Sequence, residues 1–180
     1  MRKLVLLLTI AMVSILAYAH WRTIRYDAII RTSCDRYHLD FHLVKSVVWE
    51  ESGFDSQARG KSGELGLMQV MPYVGREFWE RQKKGTTYDP GLLLDPEHNL
   101  DVGCWYLRES LDMYRGMADP LPYALARYNA GQRRVTRWIS QCDQQNDSSS
   151  FLKQIDFPTT RVYVQRVIER SKRQAEIYLW

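Results

Sequence analysis

The sequence predicts a mainly α-helical fold, and three observations support this prediction. Apolar residues recur at helical spacing in several separate stretches of the chain. No convincing alternation of apolar and polar residues, which is typical of half-buried strands, occurs outside short pieces between residues 60 and 95. Gly, Ser and Pro concentrate between residues 52 and 98. The 180 residues therefore predict one domain of about six helices with a long loop region.

Two helices are expected before the loop region. The first covers about residues 24–37. Asp40 is placed to cap the second, because a side-chain carboxylate can accept hydrogen bonds from the first free N–H groups of a helix. The apolar residues of this second helix recur on one stripe, and they are Phe41, Leu43, Val44, Val47 and Val48.

The loop region has three parts. Residues 52–63 are rich in Gly and Ser, which indicates a loop. Residues 65–71 form a short apolar piece that Pro72 ends. Residues 82–98 contain Gly85, Pro90, Gly91 and Pro96 and predict an extended loop.

Four further helices are expected in the second half of the chain. One covers about residues 99–113, and another begins at Pro122 and ends at Gly131, where Pro and Gly are favoured. A short basic helix then contains Arg133, Arg134 and Arg137, and the polar residues 143–150 predict a surface loop. The last helix starts near Thr160, and its inward residues are Tyr163, Val164, Val167, Ile168 and Tyr178.

The composition is that of an ordinary folded domain. Its hydrophobic fraction of 45% and charged fraction of 26% exclude a disordered chain. A net charge of +4 is too small to indicate a nucleic-acid partner. The nucleotide-binding patterns GxGxxG and GxxxxGK[ST] are absent, as is a CxxC pair for zinc, so neither an organic cofactor nor a metal is expected. Six Trp and 11 Tyr suit a core and also suit sugar binding.

The first 19 residues have the composition of a targeting segment. Arg2 and Lys3 precede an uncharged run at residues 4–19, which is shorter than the ~20 apolar residues of a spanning helix. Ala17-Tyr18-Ala19 has the form of a cleavage site. We expect an export signal at 1–19 and the domain at 20–180. An uncleaved anchor and a buried helix are the alternatives.

Export would bring three cysteines into an oxidising compartment. Cys34, Cys104 and Cys142 then allow one disulfide with one thiol left over. Three buried thiols are the alternative, and the sequence does not decide between them.

Two neighbouring glutamates differ in their position on the second helix. At 100° per residue, Glu51 lies in the middle of the stripe formed by Val44, Val47 and Val48, whereas Glu50 lies at its edge. We therefore expect Glu50 to be solvated. Glu51 would be held against apolar side chains, where desolvation raises the pKa of its carboxyl. A carboxyl with a raised pKa can act as a general acid near neutral pH. A structural Glu that binds loop N–H groups is the alternative.

Four blocks in chain order resemble the lytic transglycosylases of the goose-lysozyme-like superfamily. They span residues 51–164, and their order makes the resemblance specific although each block alone is weak. The blocks are Glu51-Ser52 followed by a glycine-rich loop and Gly66-Leu67-Met68-Gln69-Val70-Met71-Pro72, then Asn99-Leu100-x-x-Gly103-x-x-Tyr106-Leu107, Ala126-Arg127-Tyr128-Asn129-Ala130-Gly131, and Thr160-Arg161-x-Tyr163-Val164.

The resemblance implies a goose-type lysozyme-like domain that acts on the glycan strands of peptidoglycan. Glu51 matches the sole catalytic acid/base, Gln69 and Met71 match residues lining the sugar groove, and Tyr128 matches a tyrosine whose hydroxyl lies near the acid. Asn129 matches a structural or groove asparagine. Taken alone, Gln69 could instead bind loop backbone, and Met71 and Tyr128 could be core residues.

Three positions depart from the family pattern. Gly60 stands where the family often has Ser, so a hydrogen bond to the acid or the substrate would be missing. Thr159 stands where Glu often precedes the closing Thr-Arg, which puts the contacts of the last helix in doubt. Glu64 stands where a small residue is common, either as a harmless loop acid or as an added charge at the groove.

The implied reaction breaks the β-1,4 bond from N-acetylmuramic acid to N-acetylglucosamine, and the C6 hydroxyl replaces water as the nucleophile. No second carboxylate has a strong claim, and Asp55 and Glu64 are the nearest in sequence. If one of them were placed at the bond, the chain would be a muramidase. A non-catalytic wall-binding component is the other alternative.

The resemblance also predicts where the protein works and with what. We expect a monomer in the periplasm, with membrane attachment through residues 4–19 as one form. A domain of this size suits local opening of the wall, so a secretion or conjugation assembly is a candidate partner.

Overall fold

The computed structural model describes residues 1–82, 87–142 and 146–177, and this part of the chain is mainly helical as predicted. Two isolated bridges, Arg59 with Leu65 and Leu65 with Val70, are its only β-type pairings. The helices of the described residues are α1 Arg2–Ile24, α2 Asp27–Tyr37, α3 Phe41–Ser52, α4 Pro72–Gln82, a 3-10 helix Pro90–Leu94, α5 Pro96–Met113, α6 Leu121–Ala130, α7 Gln132–Ser140, α8 Ser148–Gln154 and α9 Pro158–Ile177.

Two α-helices, α4 and α8, lie in segments where none was predicted. Pro72 does end the apolar piece, but it also begins α4, because proline is preorganised for the first position of a helix. Asp147 caps α8 by accepting hydrogen bonds from the backbone N–H groups of Ser149 and Ser150. The loop predicted at 143–150 is therefore helical from Ser148 onward, and its residues 143–145 lie outside the described residues.

The predicted loop at 82–98 is also partly wrong. The 3-10 helix occupies its middle, and α5 starts at Pro96 after the cap Asp95, which accepts a hydrogen bond from the His98 N–H. The side-chain caps allow helices to form here, although the Gly and Pro content predicted a loop. Gly85, and Tyr178 at the other end of the chain, lie outside the described residues.

The core forms around α3, whose predicted cap is confirmed because the Asp40 carboxylate accepts the Leu43 N–H at 2.8 Å. Val44, Val47 and Val48 of α3 are completely buried. Helix α9 packs along α3, and α6 packs against both α5 and α9. This arrangement surrounds the inward face of α3 and leaves only its C-terminal end beside the loop that precedes α4.

The loop between α3 and α4 is fixed to this core by a buried amide. The Asn99 side chain accepts the Met68 N–H at 2.8 Å and donates to the carbonyls of Leu65 and Leu93 at 2.8 and 2.7 Å. Gly66 has a positive φ of 77°, and a Cβ there would clash with Asn99 and the Leu93 carbonyl. Three hydrogen bonds from one side chain therefore set the position of the loop.

Helix α1 is fully outside this core. None of its residues is buried, and the helical stretch Arg2–Tyr37 contains a window with mean hydropathy of 2.0. It is long and apolar enough to cross a membrane by length and composition. Signal sequences pass the same test, so the helix is compatible with a signal or an anchor.

None of the three cysteines is in a disulfide, with Cys34 and Cys104 buried and Cys142 half-buried. Burial raises the pKa of Cys34 to about 12. A thiol with so high a pKa is a poor nucleophile, because the reactive form is the thiolate. The structure therefore has three thiols rather than a disulfide. Cys34 and Cys104 are packed in the hydrophobic core.

Candidate active site

Glu51 lies in the last turn of α3, where the helix ends at the mouth of a groove. Gly53 caps the helix C-terminus with a positive φ of 57°, which turns the chain away and leaves the Glu51 carboxyl partly exposed. The groove has a volume of about 430 Å³. Besides Glu51 its walls come from the loop before α4, the start of α4, the end of α6 and α7, and the lining residues are Gly60, Lys61, Ser62, Glu64, Gln69, Met71, Tyr73, Tyr128, Asn129, Ala130, Gly131 and Arg134.

The structure thus brings all five predicted site residues to one groove. The pKa of Glu51 is raised to about 7, first because its carboxyl is largely surrounded by protein. The Tyr163 hydroxyl opposes this rise, and the negative charges of Glu64 and Glu50 add to it. A carboxyl with such a pKa is about half protonated at neutral pH, and that protonated fraction can act as a general acid.

Two tyrosines approach the acid from different helices. Burial and the Glu51 charge raise the pKa values of both Tyr128 and Tyr163 well above the ordinary value. The Tyr163 hydroxyl is directed at the Glu51 carboxyl, but the contact is looser than a standard hydrogen bond, and no other described side chain or backbone group bonds to this hydroxyl. It stabilises the charged form of Glu51 more than the neutral form, which is why it lowers the pKa.

Tyr128 supports the loop rather than the acid. Its hydroxyl donates to the Met68 carbonyl at 2.8 Å, and its ring packs against Tyr106 at 5.5 Å between centroids. The hydroxyl is close enough for the Glu51 charge to act on it. Tyr128 therefore lines the groove while holding the segment that carries Gln69.

Gln69 has the backbone role that the sequence offered as an alternative. Its φ is +46°, and its amide nitrogen donates to the carbonyls of Gly66 and Ala58 at 2.9 and 3.2 Å. Its amide oxygen lies near Gly60 on the groove side. Gln69 consequently fixes the loop through its nitrogen and presents an acceptor to the groove through its oxygen.

Met71 and Asn129 complete the predicted set. Met71 is half-buried, packing on the core with part of its side chain in the groove. Asn129 is exposed, and its side-chain oxygen accepts a hydrogen bond from the buried Thr160 hydroxyl at 2.8 Å. This bond joins α6 to α9, so the exposed Thr159 beside it does not prevent the last helix from docking.

Glu50 differs from its prediction, because it is not a solvated boundary residue. Its side chain is only 11% exposed and is ion-paired with Arg170 of α9 at 3.0 Å. The Arg170 guanidinium also lies over the Trp49 ring at 4.5 Å, and Arg166 lies 3.9 Å from the Glu50 carboxylate. Helical phase placed Glu50 at the edge of the stripe correctly, but it could not indicate that α9 covers this edge.

The two unusual loop residues form one structural unit. A Cβ at Gly60 would clash with the Glu64 carboxylate, lying 2.9 Å from its Cδ, and would lie 2.8 Å from the Gln69 amide oxygen. The Glu64 carboxylate accepts the Ser62 N–H at 3.0 Å. Glu64 is therefore an added charge at the groove rather than a remote loop acid. Asp55, the other carboxylate considered, is exposed, and it accepts a hydrogen bond from the Gln57 N–H.

Tyr163 is the site residue that sequence reasoning did not single out. It belonged to the Thr160-Arg161-x-Tyr163-Val164 block and to the inward face of the last helix, where an apolar-stripe analysis treats a tyrosine as core. The signal that identifies it is its hydroxyl, since a buried tyrosine usually directs that group to a partner.

The described residues contain no group of three or more His, Cys, Asp or Glu placed to hold a metal ion. His38 and His42 are four residues apart, but the chain turns between them. His38 is the left-handed C-cap of α2, whereas His42 belongs to the first turn of α3. The groove offers proton transfer from Glu51 and hydrogen bonding from the polar groups around it.

The comparison with known families assigns this helical domain, with Glu51 at the mouth of its groove, to a class of proteins. Residues 28–151 match the model of the transglycosylase SLT domain. The chain belongs to this family.

Several relatives carry the same domain within longer chains. The soluble lytic murein transglycosylases of Escherichia coli K12 and Salmonella typhimurium are each 31% identical over 123 residues, which is 68% of this chain and 19% of theirs. This chain thus spans about a fifth of the length of the curated relatives it matches.

Solved structures share the fold. An inactive variant of the lytic transglycosylase Slt from Pseudomonas aeruginosa, with one glutamate changed to glutamine, is 28% identical with a TM-score of 0.71 over 82% of this chain and 23% of its own. The 70 kDa soluble lytic transglycosylase of Escherichia coli is 26% identical with a TM-score of 0.72 over 81% of this chain and 23% of its own. These similarities agree with the predicted lysozyme-like fold.

Proposed function

We propose that this protein is a peptidoglycan lytic transglycosylase that cleaves the β-1,4 bond between N-acetylmuramic acid and N-acetylglucosamine. The observation that carries the proposal is Glu51, whose pKa of about 7 keeps a large fraction of its carboxyl protonated near neutral pH at the mouth of a groove. Membership of the SLT family and the names of the relatives, which are murein transglycosylases, support the substrate.

In the first step Glu51 acts as the general acid. Its proton passes to the glycosidic oxygen as the bond from that oxygen to C1 of the muramic sugar breaks. The N-acetylglucosamine part leaves as an alcohol, and positive charge spreads over C1 and the ring oxygen. Glu51 is now a carboxylate next to this charge, and the Tyr163 hydroxyl stabilises that ionised form.

In the second step the C6 hydroxyl of the same muramic sugar attacks C1. Its oxygen forms the new bond, and its proton returns to Glu51, so the enzyme ends in its starting state. Water is neither consumed nor released. The attack is intramolecular, and a nucleophile already held beside its target reacts far faster than one that must be captured from solution.

The other groove residues are proposed to position the strand. Gln69 and Met71 line the wall nearest Gly60, and Asn129 lies at the end of α6 with Lys61 and Arg134 also on the groove. The Gln69 amide oxygen and the Asn129 amide nitrogen suit the hydroxyl and acetamido groups of sugars. Tyr128 keeps this wall in place through Met68.

We further propose that residues 1–19 direct export and that 20–180 form the working domain, active in the periplasm as a monomer. The apolar and unburied α1 supports this, whether it is removed or retained as an anchor through residues 4–19. A secretion or conjugation assembly remains the proposed partner. N-terminal sequencing of protein from the cell envelope should give a start near His20 or an intact, membrane-bound chain.

The decisive experiment compares products and variants on purified wall sacculi. In water enriched in heavy oxygen, the wild-type chain should release muropeptides with 1,6-anhydro ends, lighter than hydrolysed ones by one water and without heavy oxygen at C1, because the C6 hydroxyl replaces water. Glu51→Gln should lower the rate by about 10²–10⁴-fold or more. Glu50→Gln is the neighbouring control and should remain active when assayed below its melting temperature.

Two results would contradict the proposal in different ways. Heavy oxygen at C1 in most products would make the chain a muramidase and make Glu64 the next candidate for its second carboxylate. Folded wild-type protein that binds sacculi but releases no sugar ends would make it a non-catalytic wall-binding component.

A further inference from the structure

Glu64 occupies space that any side chain at position 60 would need. A Cβ on Gly60 would meet both the Glu64 carboxylate and the Gln69 amide oxygen, the latter at 2.8 Å. The φ of Gly60 is not in the left-handed region, so a side chain at position 60 would disturb the Glu64 carboxylate and the Gln69 amide oxygen, which would have to move, rather than the backbone. The absence of a side chain at Gly60 therefore leaves the space that the Glu64 carboxylate occupies.

The carboxylate that fills this space is held in place. It accepts the Ser62 N–H at 3.0 Å, and it lines the same groove as Glu51. Its negative charge acts on the Glu51 carboxyl and disfavours the ionised form.

Several groups face Glu51 from the surrounding elements. Glu50 precedes it on α3 and is ion-paired with Arg170, Tyr163 approaches from α9, and Tyr128 approaches from α6. Lys61 and Arg134 lie on the groove, and the loop before α4 contributes Glu64. Glu64 is thus the unpaired negative charge among the described groups that line the groove with Glu51.

We propose that Gly60 and Glu64 act as a unit in which Glu64 is a positioning residue for the acid, keeping Glu51 protonated as it meets the glycosidic oxygen. Glu64 acts through Glu51 and forms no bond with the sugar. The inference deepens the proposed function and rests on it. It gives the two departures from the family pattern one common physical role.

The test measures kcat/KM against pH on soluble glycan strands for the wild type and Glu64→Gln. Gln keeps the size and an acceptor for Ser62 but removes the charge. The limb on which activity falls as pH rises should therefore move to lower pH, by about half to one unit. Tyr163→Phe is the matched control of opposite sign, because losing its hydroxyl should move the same limb to higher pH.

A second comparison tests the shared volume. Gly60→Ser alone should lower activity more than the double change Gly60→Ser with Glu64→Ala, because removing Glu64 relieves the closer of the two contacts and leaves only the Gln69 amide oxygen to move. The double change should show the pH limb of Glu64→Gln. An unmoved limb in a folded Glu64→Gln, or Gly60→Ser effects that are the same with and without Glu64, would overturn the proposal. The proposal would also be overturned if the products of the wild type contained heavy oxygen at C1 and those of Glu64→Gln did not. Glu64 would then activate water for the attack on C1.

The coupling can also be measured without catalysis. Carbon NMR titration of the Glu51 carboxyl should give a lower pKa in Glu64→Gln than in the wild type. If the chain released no sugar ends, the proposed function would fail while this titration still decided whether Glu64 acts on Glu51.

Discussion

Replacing Glu51 with glutamine should make the protein more stable at neutral pH while removing its activity. The carboxyl has a pKa of about 7 in the folded protein against an ordinary value of 4.5. Below pH 4.5 it is protonated in both the folded and the unfolded chain, so it has no electrostatic cost. Between pH 4.5 and 7 it ionises in the unfolded chain but stays largely protonated in the folded one, so the folded state loses stability over this range, and above pH 7 the loss is constant.

The size of the effect follows from the two pKa values. A rise from 4.5 to about 7 lowers the free energy of unfolding by about 3 kcal/mol at pH 7 and above. Glu51 is partly exposed at the groove, so solvent screening reduces this value, and we expect about 1–3 kcal/mol. For a domain of this size the melting temperature should rise by roughly 3–10 °C.

The assay is thermal unfolding of wild type and Glu51→Gln at pH 4, 6 and 8. The difference in melting temperature should be near zero at pH 4, grow between pH 4.5 and 7, and stay constant above. Glu50→Gln is the control, and it should be less stable than the wild type because it breaks the pair with Arg170. An equal gain at pH 4 and pH 8 would mean that packing rather than charge is responsible. No gain at pH 8 would mean that the acid is not held in a desolvated place.

Four further predictions concern residues that hold the site. Asn99→Ala should cost about 3 kcal/mol or more in urea unfolding, because one change leaves a buried N–H and two carbonyls without the partner that they have now; a loss below 1 kcal/mol would contradict the role of this amide. Arg170→Ala should lower the melting temperature more than Arg166→Ala, since only Arg170 bonds to Glu50 at 3.0 Å and stacks on a ring, and equal effects would disprove the distinction. Tyr128→Phe should lower turnover and cost about 1 kcal/mol through the lost bond to the Met68 carbonyl, so an unchanged kcat would leave it a core residue only. Tyr163→Phe should leave the products unchanged and move the alkaline limb of the pH–activity profile to higher pH. A move of that limb to lower pH would contradict the assigned effect on Glu51.

Much of this fold could be predicted because its helices carry local signals. The Asp40 cap, the stripe of α3, and Pro122 and Gly131 at the ends of α6 are sufficient to locate elements without tertiary information. Helices α4 and α8 were missed for a physical reason. The start of each depends on a proline or an aspartate, and these residues are equally common in loops.

The sequence by itself placed Glu51 in the middle of the apolar stripe of α3 and Glu50 at its edge, because helical phase is fixed by a rotation of 100° per residue. It also located Gln69, Met71, Tyr128 and Asn129 through the order of four motifs. These conclusions depend on local geometry and on resemblance, and neither needs contacts between distant segments.

Only the tertiary structure decided what surrounds those residues. Arg170 lies 120 residues from Glu50 in sequence and neutralises it, and Tyr163 approaches Glu51 because α9 packs along α3. The fit of Glu64 into the space left by Gly60 depends on how the loop folds over the Asn99 amide. Charge, burial and shared volume act through space, and a chain brings such groups together only when its helices pack.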